Sequence, residues 1–285
     1  MDGITGIDLD VRSISGALGA EVAGVDLGTM EEATLAEVRR VFLDHGFLVF
    51  RDQDLNADSY SAVAARFGDP VPYPFTKGIQ GYPEITVIIK EADQTSNFGG
   101  MWHSDTTYKP EPPMGSILLA RETPPAGGDT LFACQYRAYE TLSPTLRGVL
   151  DGLRGVSSSA KNSGQLRINH ASSNSMNLTN ADEVFTAIHP AVRVHPETGR
   201  RALYVNRAHT VGFDGMTAEE SAGLLEYLFH HQTRPEFTAR VRWAPGTVVI
   251  WDNRCTQHIA INDYDGHRRE MWRITLAGDA PAGPS

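Results

Sequence analysis

Two short runs set the terms for any fold of this chain: Trp102-His103-Ser104-Asp105, and Trp251-Asp252-Asn253-Arg254-Cys255-Thr256-Gln257-His258. The first offers an imidazole and a carboxylate two residues apart. On an extended strand, residues i and i+2 project from the same face, so both can reach one metal ion. The second run brings another imidazole, 153 residues beyond Asp105. Two imidazoles and one carboxylate make a facial triad with open coordination positions, the arrangement suited to non-haem Fe(II) oxygenases. A fold that uses this set must carry His258 back to the His103-Ser104-Asp105 triplet.

The rest of the sequence says what kind of fold does so. Thr29 with Glu32 has capping-box spacing and opens a helix to Gly46, with Leu35, Val38 and Phe42 on one face. Phe47-Leu48-Val49-Phe50 reads as a short buried strand. A helix from Asn56 turns Tyr60, Val63, Ala64 and Phe67 inward and stops at Gly68 as a C′ glycine. Ser143-Pro144 begins another as N-cap and N1. Thr217 with Glu220 begins one carrying Leu224, Leu225 and Leu228. Between them, strand-like runs occur at Ile85–Ile89, Gly115–Ala120, Arg201–Val205, Phe237–Trp243 and Thr247–Trp251. Regular strand–helix alternation is missing, which argues against a doubly wound fold. A mainly β architecture with flanking helices, a cupin-like double-stranded β-helix or jelly roll, fits better.

No linker or repeat divides residues 1–285, so one catalytic domain is expected. The stretch Ser157–Asn180 has seven Ser and five Asn among 24 residues. A solvated loop and an active-site lid over about 157–182 both suit that composition. A flexible tail is expected from about residue 279.

Composition narrows the function. A formal net charge of -10 and a pI near 5.4 argue against nonspecific nucleic-acid binding. An acidic protein that takes an anionic substrate needs a local positive patch, which Arg269 and Arg273 can supply. Cys134 and Cys255 are too few for a disulfide framework, and Cys255 reads as a small buried residue. Met1-Asp2-Gly3-Ile4 shows no signal peptide, and no apolar run approaches the length of a membrane span. A cytoplasmic protein is expected, with no membrane or nucleic-acid partner.

The two runs, Gly127-Gly128-Asp129-Thr130, and the placement of Arg269 and Arg273 at 11 and 15 residues after His258 together resemble the Fe(II)/2-oxoglutarate dioxygenases of the taurine and 2,4-dichlorophenoxyacetate dioxygenase (TauD/TfdA) family. The resemblance runs from about Gly19-Ala20-Glu21-Val22 to Gly278-Asp279. It implies the same jelly roll, with His103, Asp105 and His258 as iron ligands. It further implies 2-oxoglutarate chelated on the iron, O2 at the remaining position, and the far carboxylate of 2-oxoglutarate on Arg269 and Thr130. A planar guanidinium suits that carboxylate better than an ammonium. Succinate and CO2 are then released as a substrate C–H bond is hydroxylated. By resemblance alone a homo-oligomer, dimer or tetramer, is expected.

Arg273 matches the position that holds the substrate's anion in the family, and reinforcement of the cosubstrate carboxylate is its alternative role. The other positions that touch taurine in the taurine enzymes fall here on Tyr73, Thr76 and Gly99, so taurine itself is not expected. Gly81-Tyr82-Pro83-Glu84, the Trp102–Thr107 run and Tyr204-Val205-Asn206 resemble the aryloxyalkanoate branch more. Phe75, Phe98 and Met101 would add an apolar wall, suiting a small organic acid with a hydrophobic body. Alkyl sulfates, sulfonates and amino-acid-like intermediates are alternative substrates. A zinc-dependent hydrolase on a similar barrel is the alternative chemistry, and it leaves Thr130, Arg269 and Arg273 without a role. His45, His170, His189, His195, His209, His230, His231 and His267 lack any matching context and read as structural.

Overall fold

The structure, a computed structural model, describes residues 7–161 and 183–285. Its largest sheet runs in the order β1 (Asp10–Ser13), β2 (Ala20–Ala23), β3 (Phe47–Phe50), β14 (Val248–Asp252), β6 (Gly115–Glu122), β16 (Arg269–Leu276). The far edge of β16 is shared by β5 (Thr86–Lys90) and β4 (Pro70–Val71). A second sheet, β13 (Thr238–Val241), β7 (Thr130–Cys134), β15 (Thr256–Ala260), faces its inner side.

Side-chain alternation shows how one strand serves two layers. Phe47 and Val49 of β3 pack inward with Phe132, Val241, Trp243, Val249 and Trp251. Leu48 and Phe50 point outward to Val38, Phe42, Tyr60 and Val63, with Val248 and Ile250 of β14 beside them. All four β3 residues are fully buried, which is why that strand reads as a continuous apolar run. Filling each such site stabilises the fold by roughly 1.5–3 kcal/mol per large side chain. The architecture is the mainly β jelly roll expected.

The outward layer is α1 (Glu32–His45) and α2 (Ala57–Phe67). Tyr60 of α2 is buried, and its hydroxyl lies 2.8 Å from Ile117 O and 2.9 Å from Trp272 O, which fixes the helix to β6 and β16. A third core joins α3 (Gln135–Glu140), α4 (Pro144–Asp151) and α5 (Ala218–His231) to the hairpin β10 (Val192–Val194)–β11 (Arg201–Leu203). It also takes Phe213 from the sheet β12 (Thr210–Phe213), β8 (Arg154–Ser158), β9 (Thr186–Pro190).

The caps at Asn56, Ser143 and Thr217 form as the sequence predicts, with Thr217 and Glu220 making a reciprocal box. The cap at Thr29 does not. Thr29 lies in the turn that follows Asp26, whose carboxylate accepts the Gly28 N–H, and the helix starts after Glu31 with no side-chain cap. Glu32 pairs instead with Arg66 at 2.7 Å. Gly68 ends α2 in extended backbone, φ 170°, rather than the left-handed form; Gly46 adopts that form after α1, at φ 74°.

The strand expected over Arg201–Val205 is three residues long, and Phe237 closes a 3-10 turn ahead of β13. The tail beyond 279 is tied down: Asp279 pairs with the buried Arg193 at 2.8 Å, and Ala282 O accepts the Val194 N–H. Residues 162–182, most of the expected lid, lie outside the described residues. No helix among the described residues is long and apolar enough to cross a membrane.

Candidate active site

Between the two sheets lies a cavity lined by Ile88, Leu118 and Trp251 on one side and by Thr130, Phe132 and His258 on the other. Strand periodicity explains the lining. Arg269, Met271 and Arg273 alternate along β16, so all three face inward. Thr130 and Phe132 pair with Ala260 and His258 across β7 and β15, and all four line the same space.

His103 and His258 meet through their backbones. Each donates its N–H to the other's carbonyl, at 3.1 and 2.8 Å, in an isolated bridge that leaves the ring centroids 4.2 Å apart. Asp105 does not continue a strand, contrary to the sequence reading. It opens a turn whose next residue, Thr106, has φ 43°. Ser104 Oγ donates to Thr256 O at 2.7 Å, and Asn253 Oδ1 accepts the Asp105 N–H at 3.2 Å; both draw the backbone round. The carboxylate still arrives. Asp105 Oδ1 lies 3.7 Å from His103 Nε2 and 3.9 Å from His258 Nε2, too far for hydrogen bonds and close enough to share one ion.

His103 and Asp105 are oriented by what their other atoms touch, whereas His258 Nδ1 is buried without a hydrogen-bond partner. Met101 O lies 2.6 Å from His103 Nδ1. A carbonyl only accepts, so Nδ1 carries the proton and Nε2 keeps its lone pair. Asp105 Oδ2 accepts from Ser116 Oγ at 2.8 Å and Asn253 Nδ2 at 3.1 Å, leaving Oδ1 to face the imidazoles. Trp251 Nε1 donates to Asn253 Oδ1 at 3.0 Å and sets that amide.

Burial lowers the pKa of both histidines, with His103 adding to the effect on His258. Burial alone would raise Asp105, but Arg273, His258 and His103 hold it well below the usual carboxylate range. Neutral imidazoles with an ionised carboxylate are the protonation states a cation requires. A second buried set, His195, Asp252 and Cys255, also stands close together. Its groups are already engaged: His195 Nε2 bonds Asp252, Nδ1 accepts two backbone N–H groups, and Arg254 takes both Asp252 oxygens. Burial pushes the Cys255 thiol up, and Cys134 and Cys255 are both free and buried.

Arg269 closes the far end of the cavity. It is 6% exposed, and its Nε and Nη2 have no hydrogen-bond partner. Its guanidinium stands 5.7 Å from the Trp243 ring centroid, and burial lowers its pKa. Trp243 Nε1 donates to Thr130 Oγ1 at 3.0 Å, so the Thr130 hydroxyl proton is free to point elsewhere. A buried cation with unmatched donors beside a free hydroxyl fits a carboxylate supplied by a ligand. The donor set and this end of the cavity therefore fit iron and 2-oxoglutarate.

Arg273 is more engaged than the sequence suggested. Its Nη1 lies 3.4 Å from Asp105 Oδ1 and its Nη2 3.4 Å from Thr275 Oγ1, while Nε has no partner. Tyr73 and Phe98 flank the guanidinium at 4.7 and 5.9 Å. Phe98 and Gly99 line the cavity, and Gly99 has φ 80°. Phe75 stands one ring further out, against Tyr73, Tyr108 and Phe185. Thr76, a substrate-contact candidate, and Met101, a wall candidate, are not among the residues that line the cavity. Thr76 is buried with its hydroxyl 3.4 Å from Thr86, and Met101 is 36% exposed, serving through its carbonyl instead.

Sequence reasoning missed Ser116, Asn253, Trp243, Tyr108 and His209. His209 stands edge-on to His103 at 6.1 Å and to Tyr108 at 4.9 Å, with burial, then His103, pushing it down to about 3. Only its nearness in space distinguishes it.

A barrel of this winding, with this donor set and an unmatched guanidinium in its core, has its class among the 2-oxoglutarate-dependent dioxygenases, and the chain is an enzyme of that class. It belongs to the family described as taurine catabolism dioxygenase TauD, TfdA family, matched over residues 10–275. It is 35% identical over 282 residues to an alpha-ketoglutarate-dependent sulfate ester dioxygenase of Pseudomonas putida, covering 97% of this chain and 92% of that one. It is 30% identical over 279 residues to an (S)-phenoxypropionate/alpha-ketoglutarate-dioxygenase of Sphingobium herbicidovorans, covering 95% of each. A crystal structure of a taurine dioxygenase from Burkholderia xenovorans superposes with a TM-score of 0.81 at 38% identity, over 97% of this chain and 93% of that one. AAD-2, solved with Mn(II) and N-oxalylglycine, superposes with a TM-score of 0.78 at 27% identity, over 96% and 99%.

Proposed function

We propose that the protein hydroxylates a small organic anion, with Fe(II) on His103, Asp105 and His258 and the distal carboxylate of 2-oxoglutarate between Arg269 and Thr130. The observation that carries this reading is the unmatched, buried Arg269 guanidinium. A buried charge without a partner is strongly unfavourable, so a binding anion is its natural complement. Iron and 2-oxoglutarate, with O2, supply the oxidation when bound, releasing succinate and CO2.

The chain's residues bind, orient and exclude water. His103 and His258 present lone pairs without first losing a proton. Trp251 and Phe132 pack on the His258 ring at 4.8 and 5.8 Å and limit the water around it. Once a cation shares the charge of Asp105, Arg273 has charge to offer a second anion, and we assign it the substrate's sulfate or carboxylate. Tyr73 and Phe98 hold that guanidinium by its faces, and with Phe75 they suit an apolar body. The named relatives act on acids with C–H bonds beside an ester or ether oxygen. Hydroxylation at such a carbon gives a hemiacetal-type product that collapses to a carbonyl compound and the free sulfate or phenol, so cleavage follows. The reducing cytoplasm suits both ferrous iron and two free cysteines.

Anaerobic calorimetry with 2-oxoglutarate tests the reading. Arg269→Ala should lose roughly 2–5 kcal/mol of binding free energy, the usual loss when a buried charge pair is truncated. Equal affinity in wild type and variant would reject it. A screen of sulfate esters, sulfonates, aryloxy acids and amino acids, scored by succinate release, identifies the substrate class. A zinc hydrolase would instead turn over without 2-oxoglutarate or O2, and it gives Arg269 no partner.

A further inference from the structure

Arg269 and Arg273 are not the only buried cations on the inner face of the large sheet. Lys90 is 4% exposed, and no other lysine among the described residues is buried. Thr86, Ile88 and Lys90 of β5 are paired with Arg273, Met271 and Arg269 of β16. Directly paired residues project from the same face, and like charges so placed repel. A lysine is rarely buried unless it is paired.

The chain treats the two opposed cations differently. Lys90 Nζ donates to Asn262 Oδ1 at 2.9 Å and to Asp265 Oδ1 at 3.2 Å, and it lies 4.1 Å from the Tyr264 ring centroid. All three partners belong to the loop that joins β15 to β16, the strands that carry His258 and Arg269. The loop's other carboxylate, Asp263, accepts the Gly128 N–H at 2.8 Å and stands 3.5 Å from Arg240. Both loop carboxylates are thus engaged elsewhere, and Arg269 Nε and Nη2 are left without a partner.

Tyr264 connects the two cations. It is buried, and a Cβ at Gly128 would meet Tyr264 Cδ1 at 3.3 Å and Arg269 Cδ at 3.2 Å, so ring and stem close on the same glycine. The loop is fixed on both sides of the ring's approach. Ile261 donates its N–H to Asp129 O at 2.9 Å, and Asn262 Nδ2 donates to Thr95 O at 2.8 Å. One face of the ring therefore carries the Lys90 charge, and its edge bounds the space in which the Arg269 stem can move.

We propose that Lys90 is a positioning residue for the cosubstrate. It draws the Asn262–Asp265 segment onto its own ammonium and seats Tyr264 against Arg269, which keeps the guanidinium aimed into the cavity with its charge uncommitted. The inference rests on the reading of Arg269 given above and adds a residue that acts through it.

The test titrates 2-oxoglutarate and oxalate calorimetrically into the anaerobic Fe(II) enzyme. Both can chelate a metal, and only 2-oxoglutarate carries a distal carboxylate for Arg269. Lys90→Met keeps the stem and removes the charge; the Asp265 side chain is 79% exposed, so its release strands no buried carboxylate. 2-Oxoglutarate should bind this variant about tenfold more weakly, the scale of one desolvated cation–π contact, with oxalate affinity unchanged. Tyr264→Leu should give a similar loss. The double variant should lose no more than either single one, because both act through one contact. Unchanged 2-oxoglutarate affinity in Lys90→Met, a parallel loss of both ligands, or additive losses would overturn the inference. Arg269→Ala is the reference: if it alone loses 2-oxoglutarate affinity, only the role of Lys90 falls, and if it too binds normally, the reading of Arg269 falls with it.

Discussion

Gly128 presses against the stem of Arg269. A Cβ at Gly128 would stand 3.2 Å from Arg269 Cδ and 3.2 Å from Pro124 Cγ, at a backbone φ of 68°. The neighbouring Gly127, at φ 80°, would drive a Cβ to 2.6 Å from Asp263 Oδ1. The Gly-Gly turn therefore gives the guanidinium its room, and Asp129, the next residue, is pinned by Arg240 at 2.6 Å.

Gly128→Ala should displace Arg269 and strain the turn by about 1–2 kcal/mol. The expected outcome is weaker 2-oxoglutarate binding, by about tenfold, with ferrous-iron affinity retained. Paired titrations of metal and cosubstrate check it; a parallel loss of both would place the damage elsewhere.

Removing the proposed metal ligands should be far more severe. His103→Ala/His258→Ala should bind no ferrous iron and show no turnover, yet keep its fold, because the bridge between these residues is made by backbone atoms. Circular dichroism and iron titration separate the two effects, and normal iron binding would refute the assignment.

Ser116 and Asn253 fix Asp105 Oδ2. Ser116→Ala should free that oxygen to swing and reduce iron affinity by about 10–100-fold, the usual range for groups that orient ligands. Competition against a chelator measures it; an unchanged affinity would show that Asn253 suffices.

Arg273→Ala should weaken binding of the acidic substrate by roughly 2–5 kcal/mol and change 2-oxoglutarate binding little. The reverse pattern would move Arg273 to the cosubstrate. Thr130→Val should do the opposite, weakening 2-oxoglutarate binding by removing the hydroxyl that Trp243 positions.

Stability of the metal-free protein should decrease as the pH is lowered. Burial keeps the pKa of His103 and His258 below the ordinary imidazole value. The unfolded chain protonates them near about 6.5, so below that pH it takes up protons that the folded state refuses, and folding free energy is lost. Below about pH 6.5, and down to the depressed folded-state pKa, the slope is at most about 1.4 kcal/mol per pH unit for each histidine. Thermal melts of wild type and the double Ala variant across this window should diverge; parallel curves would exonerate these histidines.

Much of this site was legible because its signals are local. His103, Asp105 and His258 sit in short runs, and Arg269 and Arg273 follow His258 on a single strand with four-residue spacing. The caps at Asn56 and Thr217 lie within one helical turn. Thr29 misled because a turn closed by Asp26 and the pull of Arg66 on Glu32 outweighed capping-box spacing. Ser116, Asn253 and Trp243 had no local sign: they act on partners 11, 148 and 113 residues away.

The sequence by itself determined the donor types, the alternation that sends Phe47 and Val49 one way and Leu48 and Phe50 the other, and the inward face shared by Arg269 and Arg273. These follow from chemistry and from a two-residue strand period, which neighbours along the chain impose. Tertiary structure alone decided that Asp105 sits in a turn, that Arg273 lies against it, that Met101 works through its carbonyl and that His209 stands beside His103. Those outcomes depend on the register between strands far apart in the chain, where a shift of one residue would exchange the faces. Only the closed barrel, with both sheets packed on one core, fixes that register.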